Sequence, residues 1–148
     1  MLTADGPKVL EYNTRFGDPE AQVVLPLVEG DVASLLREVA EGSLHSQPSV
    51  ASGAAVTVVC ASEGYPASPR TGDVIDGLEA VQQLPGVRTY CAGVALDDRG
   101  RLVTAGGRVL AVTGLGASIE EARERSYAGV ARVAWPGMHH RRDIAALG

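Results

Sequence analysis

Hydrophobic and polar positions change rhythm about a third of the way along the chain. Lys8 to Asn13 alternates, with Leu10 and Tyr12 on one face and Val9, Glu11 and Asn13 on the other, and so predicts a strand. Ahead of it, Met1-Leu2-Thr3 and the turn Ala4-Asp5-Gly6-Pro7 read as a hairpin already in progress. A domain seldom begins that way, so the chain is expected to be a piece of something larger. Asp18-Pro19 predicts a helix start, the acid as N-cap and the proline at the first helical position. That helix runs through Gln22, Val24 and Leu25 until Pro26 ends or kinks it. A second helix follows Asp31, with Val32, Leu35, Leu36, Val39 and Ala40 at helical spacing and Gly42 closing it. Ser43 to Gly53 is a polar connector, so residues 1–46 and 47–148 are expected to be separate units.

Strands dominate beyond the connector. Ala54 to Ala61 is a short apolar run, and Val87 to Leu96 alternates as one further strand. Asp97-Asp98-Arg99-Gly100 predicts a hairpin turn into Arg101 to Thr104, and Gly106-Gly107 turns the chain into Val109 to Thr113. Ser118 with Glu121 three residues on forms a capping box, which predicts a helix from Ser118 to Ala134 carrying Ala122, Ala128, Val130 and Val133. The fold class expected is mixed α/β: a short first unit and a β-rich second unit with one good helix.

Composition adds exclusions. The 148 residues are long enough for one core, or for one domain and part of another. A net charge of −5 offers no basic face for a nucleic-acid backbone. No apolar run is long enough to span a membrane and Met1 is not followed by a basic segment and an apolar h-region, so no membrane role and a cytoplasmic location are expected. Cys60 and Cys91 each sit in an apolar run and are expected to be free, buried thiols. The adjacent His139 and His140 lack a third ligand at metal spacing and are assigned no role.

The informative stretch is Glu11-Tyr12-Asn13-Thr14-Arg15-Phe16-Gly17-Asp18-Pro19-Glu20. On an extended chain Glu11, Asn13 and Arg15 point the same way, roughly 6.5–7 Å apart. A carboxylate, an amide oxygen and a guanidinium in a row either stay in water or are held by something they bind. Glu11 and Asn13 offer the hard oxygens that Mg²⁺ prefers, and Arg15 a planar fork for a carboxylate or phosphoryl group. Together they suit nucleotide-dependent phosphoryl transfer. Gly106-Gly107-Arg108 reads two ways, as a tight turn or as a close approach to a substrate phosphate or ribose with Arg108 pairing to it. Tyr65-Pro66 reads as a loop packed against another unit, and Arg141, Arg142 and Asp143 as an ion-pair cluster.

Glu-x-Asn-x-Arg resembles the pattern that closes a strand in the ATP-grasp superfamily. Arg15, Phe16, Gly17, Asp18, Pro19, Glu20 and Gln22 resemble, in order, the signature of the phosphoribosylamine–glycine ligase family. Glu63-Gly64-Tyr65-Pro66, Gly72-Asp73-Val74-Ile75, Gly106 to Leu110 and Arg142-Asp143-Ile144 are similar to that family's C-terminal domain. The resemblance implies a C-terminal ATP-grasp remnant over 1–46 and the ligase C-terminal domain over 47–148. It implies a reaction in which ATP phosphorylates glycine and the amine of 5-phosphoribosylamine displaces phosphate to give glycinamide ribonucleotide. Mg²⁺ (or Mn²⁺) would be held by Glu11 and Asn13. Those two residues and Arg15 would contact ATP, with Arg15 and Asp18 catalytic and Glu20, Gln22 and Arg108 on the substrate.

The family's adenine pocket, phosphate lysine and upstream metal ligand have no counterpart here, where Lys8 is the only lysine. The resemblance therefore implies a partner, the N-terminal part of the ligase in cis or as a separate chain, and an isolated chain that is inactive. Two alternatives remain open from the residues. One is another ATP-grasp carboxylate–amine ligase or a carboxylase, against which Phe16 to Glu20 count. The other is a non-catalytic interaction module that pairs through an open strand edge.

Overall fold

The computed structural model describes residues 1–12 and 14–146. Its centre is an antiparallel sheet of three strands, β5 (Ala54–Ala61), β9 (Arg108–Gly116) and β6 (Val87–Cys91), in the order β5-β9-β6. The long apolar runs behave as the pattern requires: the central strand β9 is buried along most of its length. Even-numbered side chains of β5 and β9, among them Val58, Cys60, Leu110 and Val112, face helix α4 (Ile119–Val130) and join Val81, Val130, Val133 and Trp135 in the core.

Helix α4 can lie so close because β9 carries glycines beneath it. A Cβ on Gly114 would stand 2.1 Å from the carbonyl oxygen of Ala122. The capping box is present, with the Ser118 hydroxyl accepting from the Glu121 N–H at 3.2 Å. The Glu121 carboxylate reaches back to the N–H of Ala117 rather than to that of Ser118. The helix ends at Val130, four residues short of the expected Ala134. Ala134 is drawn instead into an isolated bridge with Asp76, and Val133 turns into the core.

The opposite face of β5 and β9 presents odd-numbered residues, including Thr57, Ala111 and Thr113. Against it lie α1 (Ala21–Val24) and the short 3-10 turn Leu25–Leu27 in which Pro26 ends the α-helical pattern, as expected. The sheet is thus covered on both sides, by the late helix α4 and by the early segment that carries the motif.

Other elements are small. β1 (Leu2–Thr3) and β2 (Gly6–Pro7) form the expected hairpin. Its ladder closes with reciprocal bonds between Met1 and Lys8. Lys8 to Tyr12 carries no strand, contrary to the alternation, because beyond Lys8 this backbone has no partner among the described residues. β3 (Val28–Glu29) pairs with β4 (Ser49–Val50), so part of the connector returns to the first unit. Between them runs α2 (Val32–Ala40), capped by Asp31 as expected, its carboxylate accepting from the Ala33 N–H at 3.0 Å. α2 buries no residue, and Leu36 and Val39 on its apolar stripe stay exposed.

The predicted strand Val87 to Leu96 is broken at Ala92-Gly93 into β6 and β7 (Val94–Leu96). Gly93 packs on the backbone of Gly106, and the bend lets β7 leave the central sheet to pair with β8 (Leu102–Thr104). A short helix, α3 (Leu78–Gln82), was not anticipated; it buries Val81 against β6. Cys60 is buried and free, but Cys91, at the end of edge strand β6, is exposed.

Candidate functional site

Three turns meet at the start of β9: the Gly17–Glu20 turn before α1, the Tyr65 loop and the Gly106-Gly107 turn. Tyr65 packs closely enough on Gly107 that a Cβ there would stand 2.2 Å from its ring. Arg108 follows immediately and extends its guanidinium to the Gly17–Glu20 turn. Its Nη2 stands 3.3 Å from Oδ2 of Asp18, and its Nη1 donates to the Asp18 carbonyl at 3.1 Å. The partner that an arginine between a glycine turn and a buried strand requires is therefore Asp18, ninety residues away.

Asp18 is not the N-cap that the sequence pattern predicts. Its Oδ1 accepts from the side-chain amide of Gln22 at 2.9 Å, and α1 starts three residues on, with Glu20 at the cap making no side-chain bond. Two side-chain donors, Gln22 and Arg108, take the carboxylate and keep it from the backbone N–H groups of the helix start. The peptide bond between Asp18 and Pro19 is cis, as is that between Tyr65 and Pro66. Glu20 is exposed and folds over Gly17.

Gln22 links the turn to the sheet. Its carbonyl accepts from the Thr113 hydroxyl at 3.2 Å, and Thr113 in turn stands 2.6 Å from the Thr57 hydroxyl in the interior. The Gln22 side-chain oxygen is buried with no hydrogen-bond partner. Gln22 does not line the shallow hollow of about 320 Å³ formed by Pro19, Glu20, Val23, Val56 and Ile144, which is nearly all apolar and unsuited to a phosphate.

The other expected site residues lie upstream. Glu11 is exposed and, among the described residues, makes no hydrogen bond or ion pair, so its carboxylate is free as a hard oxygen donor. Asn13 lies outside the described residues. Arg15 is exposed and folds back, Nη1 donating to the Phe16 carbonyl at 3.0 Å. The structure thus brings Asp18, Gln22 and Arg108 together, with Glu20 alongside. No group of three or more His, Cys, Asp or Glu side chains placed to hold a metal ion occurs among the described residues. The donor chemistry fits Mg²⁺ at Glu11, but as part of a coordination shell rather than the whole.

Of the expected cluster, Arg141 pairs with Asp143 on the surface, whereas Arg142 makes no ion pair among the described residues. Arg70, which sequence reasoning passed over, binds Glu63, Asp73 and the carbonyl of Pro136, tying the Tyr65 loop to the segment that follows α4. None of the described helices is long and apolar enough to cross a membrane.

Fold and sequence together place the chain among the C domains of ligases. The crystal structure of phosphoribosylamine–glycine ligase from Thermotoga maritima matches with a TM-score of 0.78 and 39% identity, over 97% of this chain and 35% of that one. The family phosphoribosylglycinamide synthetase, C domain, matches residues 55–147, and the chain belongs to it. Phosphoribosylamine–glycine ligase of Streptomyces coelicolor is 47% identical over 149 aligned positions, covering 98% of this chain and 36% of that protein. The chloroplastic enzyme of Arabidopsis thaliana is 44% identical over 140, covering 93% and 26%. The chain therefore spans between about a quarter and a little over a third of the length of these relatives.

Proposed function

We propose that this chain forms one wall of the active site of an ATP-dependent ligase that joins glycine to 5-phosphoribosylamine, giving glycinamide ribonucleotide, ADP and phosphate through a glycyl phosphate. The observation that carries the proposal is the similarity to phosphoribosylamine–glycine ligases over nearly the whole chain, with Arg15 to Gln22 inside it. Exposed apolar side chains support an incomplete site. Val9, Leu10, Tyr12 and Phe16 in the motif segment and Leu36 and Val39 on α2 are the surface an upstream polypeptide would cover.

In this reading Glu11 and Asn13 hold Mg²⁺, which supplies charge neutralisation on the ATP phosphates. Arg15, released from the Phe16 carbonyl, turns its fork to the charge developing on the transferred phosphoryl group. Asp18 accepts a hydrogen bond from the substrate amine and orients it toward the acyl carbon. Glu20 and Gln22 border the same pocket. Division of the chain after residue 46 belongs to this reading, and so does a cytoplasmic location, although the Arabidopsis thaliana relative is chloroplastic.

Residues 1–148 should be assayed alone and after mixing with the upstream part of the Streptomyces coelicolor ligase. The expected outcome is no ADP release from the chain alone, and release dependent on both glycine and 5-phosphoribosylamine from the mixture. Glu11→Gln should lower that rate by about 100-fold, the scale of losing one electrostatic contact to the transition state. A mixture that binds but shows no substrate-dependent turnover removes the proposal.

A further inference from the structure

We infer that Arg108 is a positioning residue that works through Asp18: a clasp from the start of β9 that holds the motif turn in register with the C domain, rather than a direct grip on substrate. Only its catalytic half rests on the ligase reading above.

The geometry differs from that of a chance surface pair. Arg108 takes two groups of one residue, the carboxylate at 3.3 Å and the backbone carbonyl at 3.1 Å, so it constrains the main chain of the turn as well as a side chain. Such a two-pronged hold needs the planar fork of arginine; a lysine ammonium is a single point. Gln22 occupies the other carboxylate oxygen, which leaves Asp18 little rotational freedom. The carbonyl of Gln22 is held in turn by Thr113, five residues along β9 from Arg108. The motif segment is thus fastened to one strand at two points, and both terminal nitrogens of Arg108 are already engaged.

That fastening matters because the turn has little else to fix it. α1 has four residues, none buried, and no side-chain cap. Arg15 and Asp18 lie within one turn of the clasp, so their aim follows from it. The pair itself is half-exposed, at 44% and 45%, so water screens it and the effect on global stability is small. Its expected effect is local order.

Two measurements decide the matter. The first is hydrogen exchange on residues 1–148, which requires no activity. Arg108→Met should speed exchange at the amides of Ala21, Val23 and Val24 by about threefold to tenfold, leaving the β5–β9 ladder unchanged. Arg108→Lys, keeping charge but not the fork, should fall between. Unchanged α1 amides overturn the clasp.

The second is a double-mutant cycle in a chimera joining the upstream part of the Streptomyces coelicolor ligase to residues 1–148. Arg108→Met should lower kcat and leave KM for 5-phosphoribosylamine unaltered. In an Asp18→Ala background the same change should cost less than about twofold more. Losses that multiply, or a rise in KM alone, assign Arg108 to the substrate and overturn the inference. A wild-type chimera without activity counts against the ligase reading, and the exchange result then decides the clasp by itself.

Discussion

Thr57 and Thr113 face each other across β5 and β9, and their hydroxyls share a hydrogen bond of 2.6 Å inside the molecule. Thr113 also reaches the carbonyl of Gln22, so this pair is where the motif helix meets the sheet. Thr113→Val takes the donor from the Gln22 carbonyl and leaves the Thr57 hydroxyl only its long bond to the Val112 carbonyl at 3.4 Å, which should cost about 1–3 kcal/mol. Replacing both threonines by valine should cost less than the sum of the single changes, since the bond between the two hydroxyls is lost in each single variant but only once in the double. Urea unfolding of the two single variants and the double variant tests this; strict additivity contradicts it.

Gly114 sets the distance between β9 and α4. A methyl group there meets the carbonyl of Ala122 at 2.1 Å and the amide nitrogen of Ser126 at 2.4 Å, both backbone atoms with nowhere to go. Gly114→Ala should therefore destabilise the chain by about 3 kcal/mol or more, beyond ordinary overpacking. Gly100, in the β7–β8 turn at φ +73° with open space around it, should lose only about 1 kcal/mol on the same change. Thermal melts of the two variants should rank in that order.

The two thiols should behave oppositely. Burial pushes the Cys60 thiol up to about 12 from the ordinary 9.0, whereas Cys91 is exposed. At pH 8 the native chain should take up one equivalent of iodoacetamide, at Cys91, and the urea-unfolded chain two. Because the Cys60 pKa is raised on folding, its contribution to stability is complete below pH 9.0 and is lost as pH climbs from there toward 12. Rapid alkylation of Cys60 in the native chain is the result that refutes this assignment.

His140 packs its ring against Tyr127 at 6.1 Å between centroids. Desolvation, then the charges of Arg142 and His139, hold its pKa below the usual 6.5, and Arg123 sits over the other ring of the pair. A histidine whose pKa is depressed on folding contributes stability above 6.5 that is lost as the pH falls. An NMR titration should place the His140 midpoint below that of a free histidine, and His140→Gln should flatten the acid side of the stability profile. A midpoint at or above 6.5 goes against the burial argument.

Periodicity carried most of the fold. The strand Ala54 to Ala61, the Asp97–Gly100 turn, the Asp31 cap and the Ser118 capping box all stand where local chemistry predicts, because each depends on neighbours in sequence. What was not legible depends on distant partners. Alternation from Lys8 to Asn13 describes a surface suited to a strand, but a strand also needs an edge to pair with, and the described residues provide none beyond Lys8. Asp18 has the look of a helix cap, and only the arrival of Arg108 shows why it does not act as one. The motif drew attention to the stretch from Glu11 to Gln22; the Gln22–Thr113–Thr57 chain beneath it left no trace in spacing.

Because β9 is the middle strand, the identity of each of its positions is tested from two directions at once. Slipping it by a single residue would turn the Thr113 hydroxyl toward the apolar underside of α4 and push Val112 up beneath Gln22. Either misplacement strands a polar group or a bulky branched one, so the pairing proofreads itself. Arg108, at the head of the same strand, then arrives opposite Asp18 only when that alignment is correct.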